Sequence, residues 1–257
     1  MPESDVTVVL IHGAWAGGWV WDRLTPCLEA RGFRVLAPDL PGCGARLGNP
    51  REASLARCVD ELQADLSEIT GPVLLVGHSG GGVVATQLAE VLAERTLGVA
   101  YLAGMMLPSG IGFGELVASM IGAHPEAAGI GPHLVWDSAE PVSRVPPAAI
   151  REIFLQDLAE DEARQVIPRF GPQAEGSRAL VPNWTGQRFG QLPRLYMEAL
   201  KDRSVVLPVQ REMQRLVPGA TVVSLDTGHV PQVIAPEAVA DHLARFAATT
   251  ALTHSSS

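Results

Sequence analysis

Val73-Leu74-Leu75-Val76-Gly77-His78-Ser79-Gly80-Gly81 runs through Gly82 into Val83-Val84-Ala85-Thr86-Gln87-Leu88-Ala89. An apolar β-type run, a glycine-flanked serine and a helical pattern, in that order, are the sequence form of a nucleophile elbow. The glycines are needed because the turn is too tight for Cβ atoms on either side, and the serine itself is held in a strained conformation. Its hydroxyl is thereby pushed out at the carboxyl end of the strand, with a helix N-terminus behind it to favour developing negative charge. A bare G-x-S-x-G is common. Here the strand, the helix and two further pieces fall in the order the turn requires.

Outward from this turn, short apolar runs alternate with helical patterns, which points to βαβ units and a mostly parallel sheet. Residues 6–11 and 33–37 read as strands, with a helix over 19–31 between them and a turn at Pro38-Asp39-Leu40-Pro41-Gly42. Leu55, Val59, Leu62 and Leu66 lie near helical spacing over 54–69, with Ser54 as the cap. A helix over 82–94 and a strand over 97–102 follow. The rhythm then breaks: residues 104–188 are rich in Gly and Pro, with helical fragments over 115–121 and 148–159 and no clear strand. A strand over 195–200, a helix over 208–216, a strand over 221–225 and a helix from 236 to about 248 restore the pattern. The expected fold class is α/β, a mostly parallel sheet flanked by helices, with 1–103 and 189–257 as the core and 104–188 as an inserted helical cap.

With 257 residues, 47% hydrophobic and 18% charged, the chain suits one domain with an insertion and a large core. The net charge of −9 argues against nucleic acid or an anionic membrane surface as a partner. Cys27, Cys43 and Cys58 are odd in number and lack metal-ligand spacing, so they read as free thiols in a reducing compartment, and no metal site is expected. Met1-Pro2-Glu3-Ser4-Asp5 is acidic and runs straight into a strand, unlike a signal peptide. No apolar stretch approaches the roughly 20 residues of a membrane span. A cytoplasmic protein with a frayed end at 253–257 is expected.

A serine hydroxyl is a poor nucleophile at neutral pH and needs a base within hydrogen-bond reach. His229, in Asp226-Thr227-Gly228-His229 after the strand 221–225, lies where a loop at the carboxyl edge of the sheet reaches Ser79. His124 and His133 fall in the insertion and His242 in the last helix, while His78 and His12 read as structural. The base needs an acid to hold its tautomer, and Asp202, after the strand 195–200, completes the order serine, aspartate, histidine. Asp226 is the runner-up; Glu198 falls within the strand and Asp39 in a turn. The oxyanion needs backbone N–H donors, expected from Gly80 and from Ala14 in the loop His12-Gly13-Ala14-Trp15. An apolar substrate pocket is expected from Trp15, Met105, Met106, Phe113, Met120 and Trp136, with Leu107, Leu116, Ile121 and Phe154 as further candidates. Few charges fall among them, so the expected partner is a small hydrophobic ester, and the methionines suggest a tolerant pocket.

His12-Gly13-Ala14-Trp15-Ala16-Gly17-Gly18-Trp19, the elbow, Lys201-Asp202-Arg203 and Gly228-His229 together resemble the α/β-hydrolase fold. More narrowly, they are similar to the branch of small serine esterases holding plant methyl esterases, hydroxynitrile lyases and bacterial pyrethroid-type esterases. The resemblance runs from Val6 to Phe246 and is weakest in the insertion; it implies a Ser79–His229–Asp202 triad and no cofactor. Hydroxynitrile lyases of this kind carry threonine where this chain has Gly13 and lysine where it has Val230. Ester hydrolysis is the expectation that remains. A lactonase, thioesterase or lactone-forming cyclase would use the same machinery, and a hydrolase-fold ligand receptor is the alternative from another class.

Overall fold

The computed structural model describes residues 6–254, so the readings of Met1 to Asp5 and of 255–257 lie outside the described residues. In chain order the first half holds β1 (Thr7–Ile11), α1 (Leu24–Glu29), β2 (Arg34–Leu36), α2 (Leu55–Asp65), β3 (Val73–His78), α3 (Gly81–Val91) and β4 (Thr96–Leu102). An insertion follows with α4 (Phe113–Met120), β5 (Val135–Trp136), β6 (Val142–Arg144), α5 (Pro147–Ala149), α6 (Glu160–Val166) and β7 (Gln173–Ala174). The last part holds β8 (Arg194–Ala199), α7 (Leu207–Leu216), β9 (Ala220–Leu225), α8 (Pro231–Ile234) and α9 (Pro236–His254).

The main sheet has the order β2-β1-β3-β4-β8-β9 and every pair in it is parallel, as the alternation of elements predicted. Successive side chains of a strand point to opposite faces. Val9, Ile11, Leu75, Val99, Tyr101 and Tyr196 therefore enter one layer with α2, α3 and α7, while Val8, Leu10, Leu74, Val76, Leu102 and Met197 enter the other with α1 and α9. Burying each such aliphatic side chain fully contributes about 1.5–3 kcal/mol. Both faces being covered explains why β1, β3 and β4 are buried along their whole length and largely apolar rather than alternating.

Three local readings shift. The helix expected over 19–31 is a 3-10 turn (Gly18–Trp21) and then α1, because Pro26 has no N–H to donate and fits only in a first helical turn. The last helix continues past 248 to His254, into the stretch expected to fray. The insertion contains strands as well as helices: β5, β6 and β7 pair antiparallel in a small sheet. Strands of two or three residues are too short to leave a period-two pattern, so this correction to the helical reading had no sequence signal. The predicted helix over 148–159 is likewise α5 continued by a single π-helical turn, Ile150–Phe154, with α6 starting only at Glu160.

Candidate active site

Ser79 stands between β3 and α3 at φ +51°, the left-handed region that L side chains seldom occupy. The surrounding glycines explain how the turn is tolerated. A Cβ on Gly77 would lie 2.5 Å from Gly82 Cα, and one on Gly81 would lie 2.5 Å from the His12 carbonyl oxygen. Across from the turn, a Cβ on Gly13 would sit 2.8 Å from Ser79 Cβ, so the loop after β1 approaches the serine only because residue 13 is bare. Ser79 is almost fully buried, at 8% exposure.

His229 and Asp202 meet on the loops after β9 and β8, with His229 Nδ1 2.8 Å from Asp202 Oδ2. The other carboxylate oxygen of Asp202 accepts the N–H groups of Ser204 and Val205 at 2.7 and 3.0 Å. A buried acid with three N–H donors fixes the imidazole with its proton on Nδ1, leaving Nε2 free as a base. The competing carboxylates go elsewhere: Asp226 pairs with Lys201 at 2.8 Å in solvent, Glu198 pairs with Arg211, and Asp39 accepts the Gly18 N–H. His124 sits beside Glu126 on an exposed turn, and His242 belongs to α9. No hydrogen bond joins Ser79 Oγ to the His229 ring among the described residues; such bonds often close only when substrate is bound. The two side chains line one small cavity of about 20 Å³, walled by Phe154, Phe170 and Val230.

Two further histidines brace the site. His12 donates from Nδ1 to the Gly13 carbonyl (2.8 Å) and accepts the Leu40 N–H on Nε2 (2.9 Å), an arrangement only the neutral ring can make. Burial lowers its pKa accordingly. His78 donates from Nε2 to the His229 carbonyl at 2.7 Å and its ring lies 4.8 Å from the His229 ring. Burial first, then the neighbouring His229, pushes the His78 pKa down to about 3. Below its ordinary pKa of 6.5 the unfolded chain binds a proton at this residue that the folded chain refuses, so its contribution to stability is complete above about pH 6.5 and falls away toward about pH 3. Urea unfolding at pH 7.5 and pH 5 is therefore expected to show a native protein that loses stability in acid, and a His78→Gln variant with a shallower loss. Equal losses in both would remove His78 from the account.

The N–H groups of Ala14 and Gly80 make no hydrogen bond among the described residues, and both residues line an apolar cavity beside Ser79. That cavity has a volume of about 380 Å³, within the range of small-molecule sites. Of the expected pocket residues, Trp15, Met105 and Phe113 are on its wall. Met106 is instead fully buried in the core, Met120 packs against that core, and Trp136 is half exposed on β5 under the Arg178 guanidinium. Leu40, Val84, Val117 and Leu180 line it without having been singled out. Phe154 stacks on the His229 ring at 5.1 Å, outside this cavity. Among the described residues the ion pair on the wall is Arg178 with Glu175, bidentate at 2.7 Å, so its charges are already matched.

Some contacts at the site had no sequence signal. Asp157 accepts the Gly228 N–H beside His229, and Gln156 donates to the Lys201 carbonyl at 2.9 Å. Both come from the insertion, so the loops bearing the histidine and the aspartate are tied down by residues distant in sequence. Among the described residues no group of three or more His, Cys, Asp or Glu side chains could hold a metal ion, and no helix is long and apolar enough to cross a membrane.

Residues 8–242 match the family model described as alpha/beta hydrolase family. A pyrethroid hydrolase of Sphingobium wenxiniae is 34% identical over 93% of this chain and 87% of its own length. Methylesterase 8 of Arabidopsis thaliana is 25% identical over 93% of this chain and 88% of its length. Among solved structures, a pyrethroid hydrolase superposes with a TM-score of 0.82 at 29% identity, covering 96% of this chain and 99% of that one.

Proposed function

Because the chain belongs to the alpha/beta hydrolase family, we propose that it is a serine hydrolase that cleaves a hydrophobic carboxylic ester through an acyl-enzyme. Ser79 Oγ attacks the acyl carbon as His229 Nε2 takes its proton, and Asp202 holds the imidazole and stabilises its cationic form. The acyl oxygen becomes an oxyanion between the N–H groups of Ala14 and Gly80, with the N-terminus of α3 behind it. His229 then returns the proton to the departing alkoxide. A water molecule, deprotonated by the same ring, releases the acid and restores the serine.

The observation that carries this reading is the 2.8 Å hydrogen bond from the His229 ring to Asp202, beside a serine held at φ +51° on the wall of an apolar cavity. Similarity to a pyrethroid hydrolase and to methylesterases supports ester chemistry in particular. Residues 104–188 act as the cap that walls the cavity with Phe113, Val117 and Leu180. With its ion pair already matched and the rest of the described wall largely apolar, the cavity suits an uncharged and largely apolar substrate. The acidic charge and the free cysteines fit a cytoplasmic location without nucleic-acid or membrane partners.

The test is hydrolysis of p-nitrophenyl esters from acetate to laurate. Sustained turnover, with an optimum above acetate, is the expected result. A burst that stops after one equivalent would indicate a receptor rather than an enzyme, and a strong preference for short polar esters would sink the apolar pocket.

A further inference from the structure

Trp15 is where the insertion grips the loop after β1. Its φ of +59° is left-handed, a conformation that a bulky side chain keeps only when its surroundings over-determine it. Three hydrogen bonds do so, all made by the insertion. The Trp15 N–H donates to Gln173 Oε1 at 3.0 Å, the indole N–H donates to Ser143 Oγ at 3.1 Å, and the Trp15 carbonyl accepts the Gly171 N–H at 2.9 Å. Gln173 and Ser143 have no exposed surface and face each other as partners in the β6–β7 ladder. Gln173 is itself locked, accepting the Cys43 thiol at 2.9 Å and donating from Nε2 to Ser177 Oγ at 2.7 Å.

The consequence falls on Ala14. The peptide before it is held at the Gly13 carbonyl by His12, and the peptide after it is held at the Trp15 N–H by Gln173. Ala14 is thus clamped on both sides while its own N–H makes no bond and borders the cavity at Ser79. We propose that Gln173 is a positioning residue for ester hydrolysis: by fixing Trp15 it keeps the Ala14 N–H aimed at the oxyanion. The insertion is then part of the catalytic frame as well as a wall of the pocket. This rests on Ser79 as nucleophile and Ala14 as oxyanion donor.

Gln173→Met keeps the length of the side chain and removes the acceptor; Gln173→Glu keeps an acceptor for the Trp15 N–H. Each is compared with the native protein for kcat and KM on a p-nitrophenyl ester, and for binding of an alkyl boronic acid and of a neutral alkyl carboxamide. The boronic acid forms a tetrahedral adduct on the serine; the amide binds without one. Losing an oxyanion donor outright costs about 10²–10³ in kcat, so misplacing it by Gln173→Met is expected to cost about ten- to a hundred-fold. KM and amide binding should stay within about three-fold, boronate affinity should fall with kcat, and Gln173→Glu should recover most of the loss. Native kcat in Gln173→Met, or boronate and amide affinities falling together, overturns the proposal. If Gln173→Met does not fold, Ser143→Ala, which removes only the indole acceptor, must move kcat and boronate affinity in the same direction; no movement also overturns it. A native protein with no esterase turnover would instead defeat the hydrolase reading itself.

Discussion

Ser79→Ala is expected to lower ester turnover by about three orders of magnitude or more with little change in unfolding midpoint. The two halves of that expectation have separate causes. Alanine keeps the Cβ, so the cost of holding residue 79 at φ +51° is the same in both proteins. The serine hydroxyl makes no hydrogen bond among the described residues, so its removal leaves no buried partner unsatisfied. What is lost is the atom that would form the acyl bond. The Ala14 and Gly80 N–H groups remain, and with them a slow background rate by direct attack of water. Turnover and urea unfolding measured on the same preparation separate the outcomes, and activity within ten-fold of native would place the nucleophile elsewhere.

Asp202→Asn should cost about 10⁴-fold in kcat, comparable to the same change in the serine-protease triad. The reason lies in how the carboxylate is held. Oδ1 accepts the Ser204 and Val205 N–H groups, and an asparagine in its place must keep its carbonyl oxygen there. Its NH2 then faces His229 Nδ1, 2.8 Å away in the native arrangement, and donates to it. The imidazole proton is forced onto Nε2, the nitrogen that accepts the serine proton in the proposed mechanism. Geometry is preserved and the base is disabled. A loss smaller than ten-fold, with folding intact, would mean that something other than Asp202 sets the tautomer of His229.

The parts of the molecule that could be read from the sequence are those written in adjacent residues. The elbow, the Ser54 cap, whose hydroxyl accepts the Arg57 N–H at 3.2 Å, and the run of parallel strands each rest on local patterns of glycine, capping side chain or apolar period. Asp202 and His229 could be singled out because each follows a strand whose neighbour in the sheet was readable. Gln173 could not, since its bond to the Trp15 N–H joins residues 158 apart and a buried glutamine carries no periodicity. The pocket suffered for a related reason. Met106 and Met105 are equal as sequence, yet Met106 is fully buried in the core while Met105, packed against that core, also reaches the cavity wall, and no local pattern separates two adjacent methionines.

β4 and β8 lie side by side although the whole insertion separates them in the chain. The entropy of closing such a loop grows only logarithmically, so doubling its length costs about 0.6 kcal/mol. Lengthening or shortening the exposed turns of the insertion is therefore almost neutral for the sheet. The anchors to Trp15 and Gly228 have no such freedom. Descendants of this chain would inherit the residues that hold the insertion down and rewrite the rest.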